Sequence, residues 1–134
     1  MKLLALWLLC FSSLCLAQKV KTPVVFECTC DDGVGLLYAT KFRDALATSP
    51  RYTEVSKTKN GATEDGRYYW TVSVVTIDGD GENNRGLSSA VSAAIFVGNT
   101  IFDGNYVQVC GRDVVTACAQ KLLAILDKEV SENP

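Results

Sequence analysis

Apolar side chains recur at alternate positions over residues 24–30, placing Val24, Phe26, Cys28 and Cys30 on one face of a predicted strand. Asp31-Asp32-Gly33 ends it. The period then lengthens. Over residues 36–47, Ala39, Phe42, Ala45 and Leu46 fall on one side and Lys41, Arg43 and Asp44 toward the other, as in an amphipathic helix. Thr48-Ser49-Pro50 stops that helix, because the residue before proline disfavours the helical well. Residues 51–57 read as a second, more polar strand. Residues 58–66 read as a loop, marked by Asn60-Gly61 and Asp65-Gly66.

The strongest strand pattern covers residues 68–77, with Trp70, Val72 and Val74 on one face and Tyr69, Val75 and Ile77 on the other. A glycine- and asparagine-rich turn over 78–86 leads to a strand at 87–97 that keeps Val91, Ala93, Ile95 and Val97 together. A loop through Asp103-Gly104-Asn105 and a short extended piece at 106–110 follow. Asp113 is the expected cap of a last helix, 114–130, whose buried stripe is Val115, Cys118, Leu122 and Ile125.

This order, β-α-β-β-β-β-α, predicts an α+β fold: one mixed sheet with two helices packed on one face. The first strand-helix-strand unit favours a parallel pair with a right-handed crossover, and 68–97 an antiparallel hairpin. The expected core is Val24, Phe26, Phe42, Leu46, Trp70, Val72, Val74, Val91, Ile95, Leu122 and Ile125. Tyr68, Tyr69 and Trp70 make both faces of one strand aromatic. The face away from the core is either a binding surface or covered by a loop.

The first residues set the compartment. Met1-Lys2 is a minimal positive start, an apolar run continues to Leu16, and Cys15-Leu16-Ala17 offers small residues where a signal peptidase reads. Residues 1–17 are therefore expected to be a cleaved signal peptide, with Gln18 as the new terminus, and 18–134 a single extracytoplasmic domain, periplasmic or secreted. Leu9 before Cys10 and Leu14 before Cys15 argue against a lipid-anchored cysteine. No later stretch approaches the roughly 20 apolar residues that span a bilayer. The full chain carries a net charge of -2. Its basic residues are scattered, which gives no electrostatic reason to bind nucleic acid.

The chain of 134 residues contains no histidine. Ser-His and Cys-His nucleophilic catalysis are thereby excluded, as is the commonest general base at neutral pH. Four of the six cysteines lie beyond the leader: Cys28, Cys30, Cys110 and Cys118. In an oxidising compartment an even set points to disulfides. A Cys110–Cys118 bridge is favoured, with Gly111 letting the chain turn back. Cys28 and Cys30 share a strand face about 6.5–7 Å apart, at or beyond the usual bridging limit. They form either a second pair or a cross-pairing with Cys110 and Cys118. Cys-x-Cys with Cys-x7-Cys does not match zinc knuckles, and no metal or cofactor is expected.

Other motifs read as structure. Asp78-Gly79-Asp80-Gly81-Glu82 starts like a calcium loop, but Asn83 stands at the required glycine and Ser89 at the terminal glutamate. Gly33-Val34-Gly35 lacks the third glycine of a dinucleotide fingerprint, since Tyr38 stands there, and fits helix entry instead. Gly86-Leu87-Ser88-Ser89-Ala90 resembles a nucleophile elbow without the fold order or histidine one needs. Asp31 and Asp32 with Glu27 could make a carboxylate pair for glycoside hydrolysis, but adjacent positions at a strand end point to opposite faces, and a turn explains them better.

The run over residues 36–52, with Phe42-Arg43-Asp44-Ala45-Leu46 before Ser49-Pro50-Arg51-Tyr52, resembles the N-terminal domain of TolB-type translocation proteins and related periplasmic assembly domains. The segment from Cys110-Gly111 to Cys118 resembles small exported bacterial proteins of uncharacterised function. Neither resemblance supplies a catalytic residue. Together with the missing histidine they lead to an exported, non-enzymatic interaction or assembly module with a protein partner in the envelope. The alternatives are a thiol-redox protein using Cys28 and Cys30, and a small carboxylate-dependent hydrolase.

Overall fold

The computed structural model describes residues 20–80 and 86–133. The expected leader, its cleavage point after Ala17, and Gly81-Glu82 of the acidic turn lie outside these residues. The elements are β1 (Thr22–Cys30), α1 (Gly33–Thr48), β2 (Tyr52–Glu54), β3 (Trp70–Asp78), β4 (Ser88–Val97), β5 (Ile101–Gly111), a 3-10 turn (Arg112–Val114) and α2 (Val115–Glu132). One five-stranded sheet runs in the order β2-β1-β3-β4-β5. β1 is parallel to β2 and β3, while β3–β4 and β4–β5 are antiparallel. The fold is α+β, in the element order that the hydrophobic pattern predicts.

Alternation sends Val24, Phe26 and Cys30, Trp70, Val72 and Val74, and Val91, Ala93 and Ile95 to one face, where they pack with Tyr38, Phe42 and Leu46 of α1 and Leu122 and Leu126 of α2. Phe26 and Phe42 meet with ring centroids 4.9 Å apart. Ten of the expected core residues are buried; Ile125 is only partly so, and Leu126 takes the fully buried place. The buried stripe of α2 runs Val115, Cys118, Ala119, Leu122, Leu126. It drifts by one residue from the expected set because steps of three, then four, track a helix of 3.6 residues per turn.

Several boundaries differ from expectation. α1 starts at Gly33 rather than residue 36, because Asp32 caps it. β2 is three residues: the Val55 N–H still bonds the Val24 carbonyl, and the paired register ends at Glu54. The expected loop at Asp103-Gly104-Asn105 lies inside β5, where a register irregularity opposite Ile95/Phe96 absorbs the extra residue. The real β4–β5 turn is at Gly98-Asn99-Thr100. Asp113 does not cap α2: it sits in the 3-10 turn, and α2 has no side-chain cap.

The loop between β2 and β3 folds over one end of the other sheet face. Lys57 bonds Glu27 at 2.9 Å. The Tyr69 hydroxyl accepts from the Thr58 N–H at 3.0 Å and donates to Asn99 Oδ1 at 2.7 Å. Asn99 Nδ2 donates to the Thr58 carbonyl at 2.8 Å. Gly61 and Gly98 make the close approach: both have positive φ, and a Cβ on Gly61 would stand 3.3 Å from the Gly98 Cα. Tyr69 is therefore covered by the loop, and Val25 and Thr71 beside it are buried, whereas Val75, Ile77, Val107 and Val109 farther along that face are exposed.

Candidate functional site

The described residues hold two distinct chemical centres and one exposed surface. The first centre lies at the C-terminal ends of the parallel strands β1 and β3, where Asp31, Asp32, Gly33, Thr76, Ile77 and Asp78 line a depression. Ligands of open α/β sheets commonly bind at such strand ends. Here the groups are committed to the fold. Asp32 Oδ1 accepts from the Gly35 N–H at 2.8 Å, and Oδ2 accepts from Thr76 Oγ at 2.6 Å and Ser89 Oγ at 3.1 Å. One carboxylate thus joins the start of α1 to the end of β3 and the start of β4. Partial burial pushes its pKa up, but the Thr76, Gly35 and Ser89 hydrogen bonds outweigh that, and the net shift is downward.

A carboxyl held below its ordinary value contributes stability above its unfolded pKa, near pH 4, and loses it as pH falls through the folded value. The acid limb of a stability-versus-pH curve should therefore be shallower for Asp32→Asn than for the parent. Denaturant unfolding between pH 7 and pH 3 checks this; parallel curves would mean that the Asp32 charge adds nothing. At pH 7, Asp32→Ala should cost about 1–2 kcal/mol through the lost cap.

Glu27 pairs with Lys57, and Asp31 is exposed at the strand end. Glu27, Asp31 and Asp32 do not form a facing acid–base pair. Asp80 accepts from the Leu87 and Ser88 amides at 2.6 and 3.2 Å and closes the β3–β4 connection. Gly33-Val34-Gly35 is helix entry, and Ser88-Ser89 lies within β4 rather than on an elbow. Among the described residues no group of three or more His, Cys, Asp and Glu is placed to hold a metal ion.

The cysteines make the second centre. Cys110 on β5 and Cys118 on α2 come to disulfide distance with Cα atoms 6.2 Å apart, and Cys28 and Cys30 do so with Cα atoms 5.4 Å apart. The structure does not bring either of the first pair to either of the second. The Cys28–Cys30 approach is closer than an extended strand predicts. Both cysteines lie in the stretch of β1 that pairs with β3 alone, beyond the end of β2 pairing at Val24. Cys110, Cys118 and Cys30 are buried and Cys28 half-buried. Beside Cys118, Gln108 Nε2 donates to the Cys118 carbonyl at 3.3 Å and to the Tyr38 hydroxyl at 3.4 Å, while the Tyr106 hydroxyl donates to Gln108 Oε1 at 2.9 Å. Burial pushes the Tyr38 pKa upward, so that phenol stays neutral. Non-reducing peptide mapping should return Cys110 linked to Cys118. A fragment joining the Cys28–Cys30 segment to either of them would mean that the cysteines pair differently. Reducing the bridge should cost about 2–3 kcal/mol, as its loop is short.

The surface is the open sheet face. Register aligns Val75 with Ser92 and Ser92 with Val107, and Ile77 with Ala90 and Ala90 with Val109. These make two rows across three strands whose outer members are exposed: Val75 at 45%, Ile77 at 67%, Val107 at 67% and Val109 at 74%. The sequence assigns Val75 and Ile77 to this face; it places Val107 and Val109 in the extended piece 106–110, but only the pairing with β4 puts them on the same face.

No protein-family model matches the chain, and no curated protein matches it.

Proposed function

We propose that this protein is an exported, non-enzymatic interaction module that receives a protein partner on the open face of its sheet. The observation that carries this reading is the pair of apolar rows ending in Val75, Ile77, Val107 and Val109. Soluble domains cover or charge such a face unless something binds it. The absence of histidine from the sequence, and the commitment of Asp32, Thr76 and Ser89 to each other, argue against acid–base or nucleophilic work at the strand ends. Export is supported by the apolar leader pattern of residues 1–17 and by two cysteine pairs suited to an oxidising compartment. Among the described residues no helix is long and apolar enough to cross a membrane.

A photo-crosslinking residue at Ile77, introduced in the cell that exports the protein, tests the reading. A discrete adduct at Ile77 that is absent at Leu36, an exposed apolar position on α1, is expected. Equal labelling at both positions, or none, would overturn it. The closeness of Cys28 and Cys30 favours a second reading, thiol exchange. Exchange requires an accessible thiolate, and Cys30 is 8% exposed. Rapid alkylation of Cys28 and Cys30 in the folded protein after mild reduction would favour that alternative.

A further inference from the structure

The sheet has two edges of opposite character. At the β2 edge the strand is three residues long, Arg51 precedes it, and its last residue Glu54 pairs with Arg43 at 3.3 Å. Short, charged edges of this kind resist pairing with another chain. The β5 edge is long. From Gly104 to Gly111 it carries no charged residue and no proline.

The hydrogen-bond phase of β5 shows what this edge offers. Arg112 donates its N–H to the Leu87 carbonyl, and the ladder continues from that pair through Ser88–Gly111, Ser89–Cys110, Ala90–Val109 and Val91–Gln108. Hydrogen-bonded pairs alternate in an antiparallel ladder. The backbone groups of Cys110, Gln108 and Tyr106 therefore point at β4. Those of Asn105, Val107, Val109 and Gly111 point away from it, along the free edge. The residues whose backbones are unpaired there include Val107 and Val109, whose side chains are also the exposed apolar ends of the two rows.

We infer that a second copy of this chain docks along this edge, β5 against β5, antiparallel about a two-fold axis at Gln108. That register sets Val107 opposite Val109 of the other copy, Tyr106 opposite its Cys110, and Asn105 opposite its Gly111. Both valine pairs are hydrogen-bonded pairs and lie on the open face. The row Ile77–Ala90–Val109 then continues into Val107–Ser92–Val75 of the second copy, making one stripe, apolar but for Ser92, across the six central strands of a ten-stranded sheet (two sheets of five strands each). In a two-fold strand pair the residue on the axis faces its own copy and its neighbours lie diagonally close to theirs, so a charge near the centre would come close to a like charge. The uncharged stretch around Gln108 meets that condition. This inference concerns the edge of the sheet, whereas the proposed partner occupies its face, so the two stand or fall on different measurements.

The processed protein, purified alone, should show twice the chain mass by light scattering or sedimentation at high concentration and dissociate on dilution. In the dimer, NMR hydrogen exchange should show the Val107 and Val109 amides protected, and their protection should fall on dilution while that of Tyr106 and Gln108 does not. Val109→Pro removes an edge donor without touching the β4 ladder, and should leave a folded monomer by circular dichroism. Should proline unfold the strand, the double change Val107→Lys with Val109→Lys gives the same test by setting like charges opposite each other. A monomer at every concentration would overturn the inference. So would a dimer whose Val107 and Val109 amides exchange freely, or one that the folded lysine variant leaves intact. None of these results bears on crosslinking at Ile77.

Discussion

Gly35→Ala should destabilise the protein by about 2–4 kcal/mol, a large effect for one methyl group on a helix. By propensity alone the change would gain about 1 kcal/mol. Space decides the sign. A Cβ at residue 35 would stand 2.6 Å from Asp32 Oδ2 and 2.8 Å from Thr76 Cβ, and closer still to the Thr76 hydroxyl. All three atoms belong to the node that joins α1, β3 and β4. Thr76 is buried and its hydroxyl is bonded to Asp32, so neither side chain moves without breaking that bond. Either the first turn of α1 lifts off the sheet, or the cap opens and buried Ser89 and Thr76 lose an acceptor. Gly33→Ala is the control, because its Cβ would meet only an Arg112 guanidinium nitrogen at 3.6 Å. It should lie within about 0.5 kcal/mol of the parent. Urea unfolding of the two variants separates them; equal midpoints would show that the Gly35 contact is not what constrains the site.

Gly35 also marks what was legible in the sequence. The pattern Gly33-Val34-Gly35 signals helix entry, but not which side chain fills the space above the glycine, since Thr76 comes from a strand 41 positions on. Asp32 reads from the sequence as a strand terminator; the helical pattern begins only at residue 36, which hides its role as the cap of α1. Its bonds to Thr76 and Ser89 are products of β1–β3 and β3–β4 register, which no local pattern encodes. The strands and their faces were far more legible. Val24, Trp70 and Val91 each begin or join a strict alternation, and alternation fixes a face wherever one side is buried.

β5 was legible only in part. Asp103-Gly104-Asn105 has the composition of a turn, yet the β4 ladder carries it as strand, with a register irregularity in place of a loop. Gly98-Asn99 made the turn instead, at a glycine with positive φ that Gly61 also requires for close approach. Val107 and Val109 fall in the extended piece that the sequence predicts, but without the β4 pairing neither their shared face nor the free edge can be read. The same residues that sequence composition assigns to a short extended piece become, once the ladder phase is known, the longest unpaired edge of the sheet. The open face and that edge depend on long-range pairing, which is why they emerged from topology rather than from any motif.

Leu126→Ala should cost about 3 kcal/mol, and Ile125→Ala less than half of that. These adjacent positions carry side chains of equal carbon count, so the contrast comes from packing. Hydrophobic spacing from Val115 and Cys118 to Leu122 is satisfied by a next step of three, to Ile125, or of four, to Leu126. A helix alternates such steps to stay on one face. In the structure Leu126 is fully buried, whereas Ile125 lies partly buried at the margin of the core. One residue on, Asp127 accepts from the Tyr52 hydroxyl at 2.5 Å and pairs with Arg51 at 3.1 Å, which fixes the rotation of the helix against β2. With that rotation fixed, α2 cannot roll to close the space left by truncating Leu126, and the lost burial is joined by a cavity cost. At Ile125 water can fill part of the space, and the cavity cost is largely absent. Paired unfolding curves decide it. Equal losses at the two sites would mean that the helix turns to present Ile125 and Leu126 alike, and a larger loss at Ile125 would restore the stripe that spacing alone suggests.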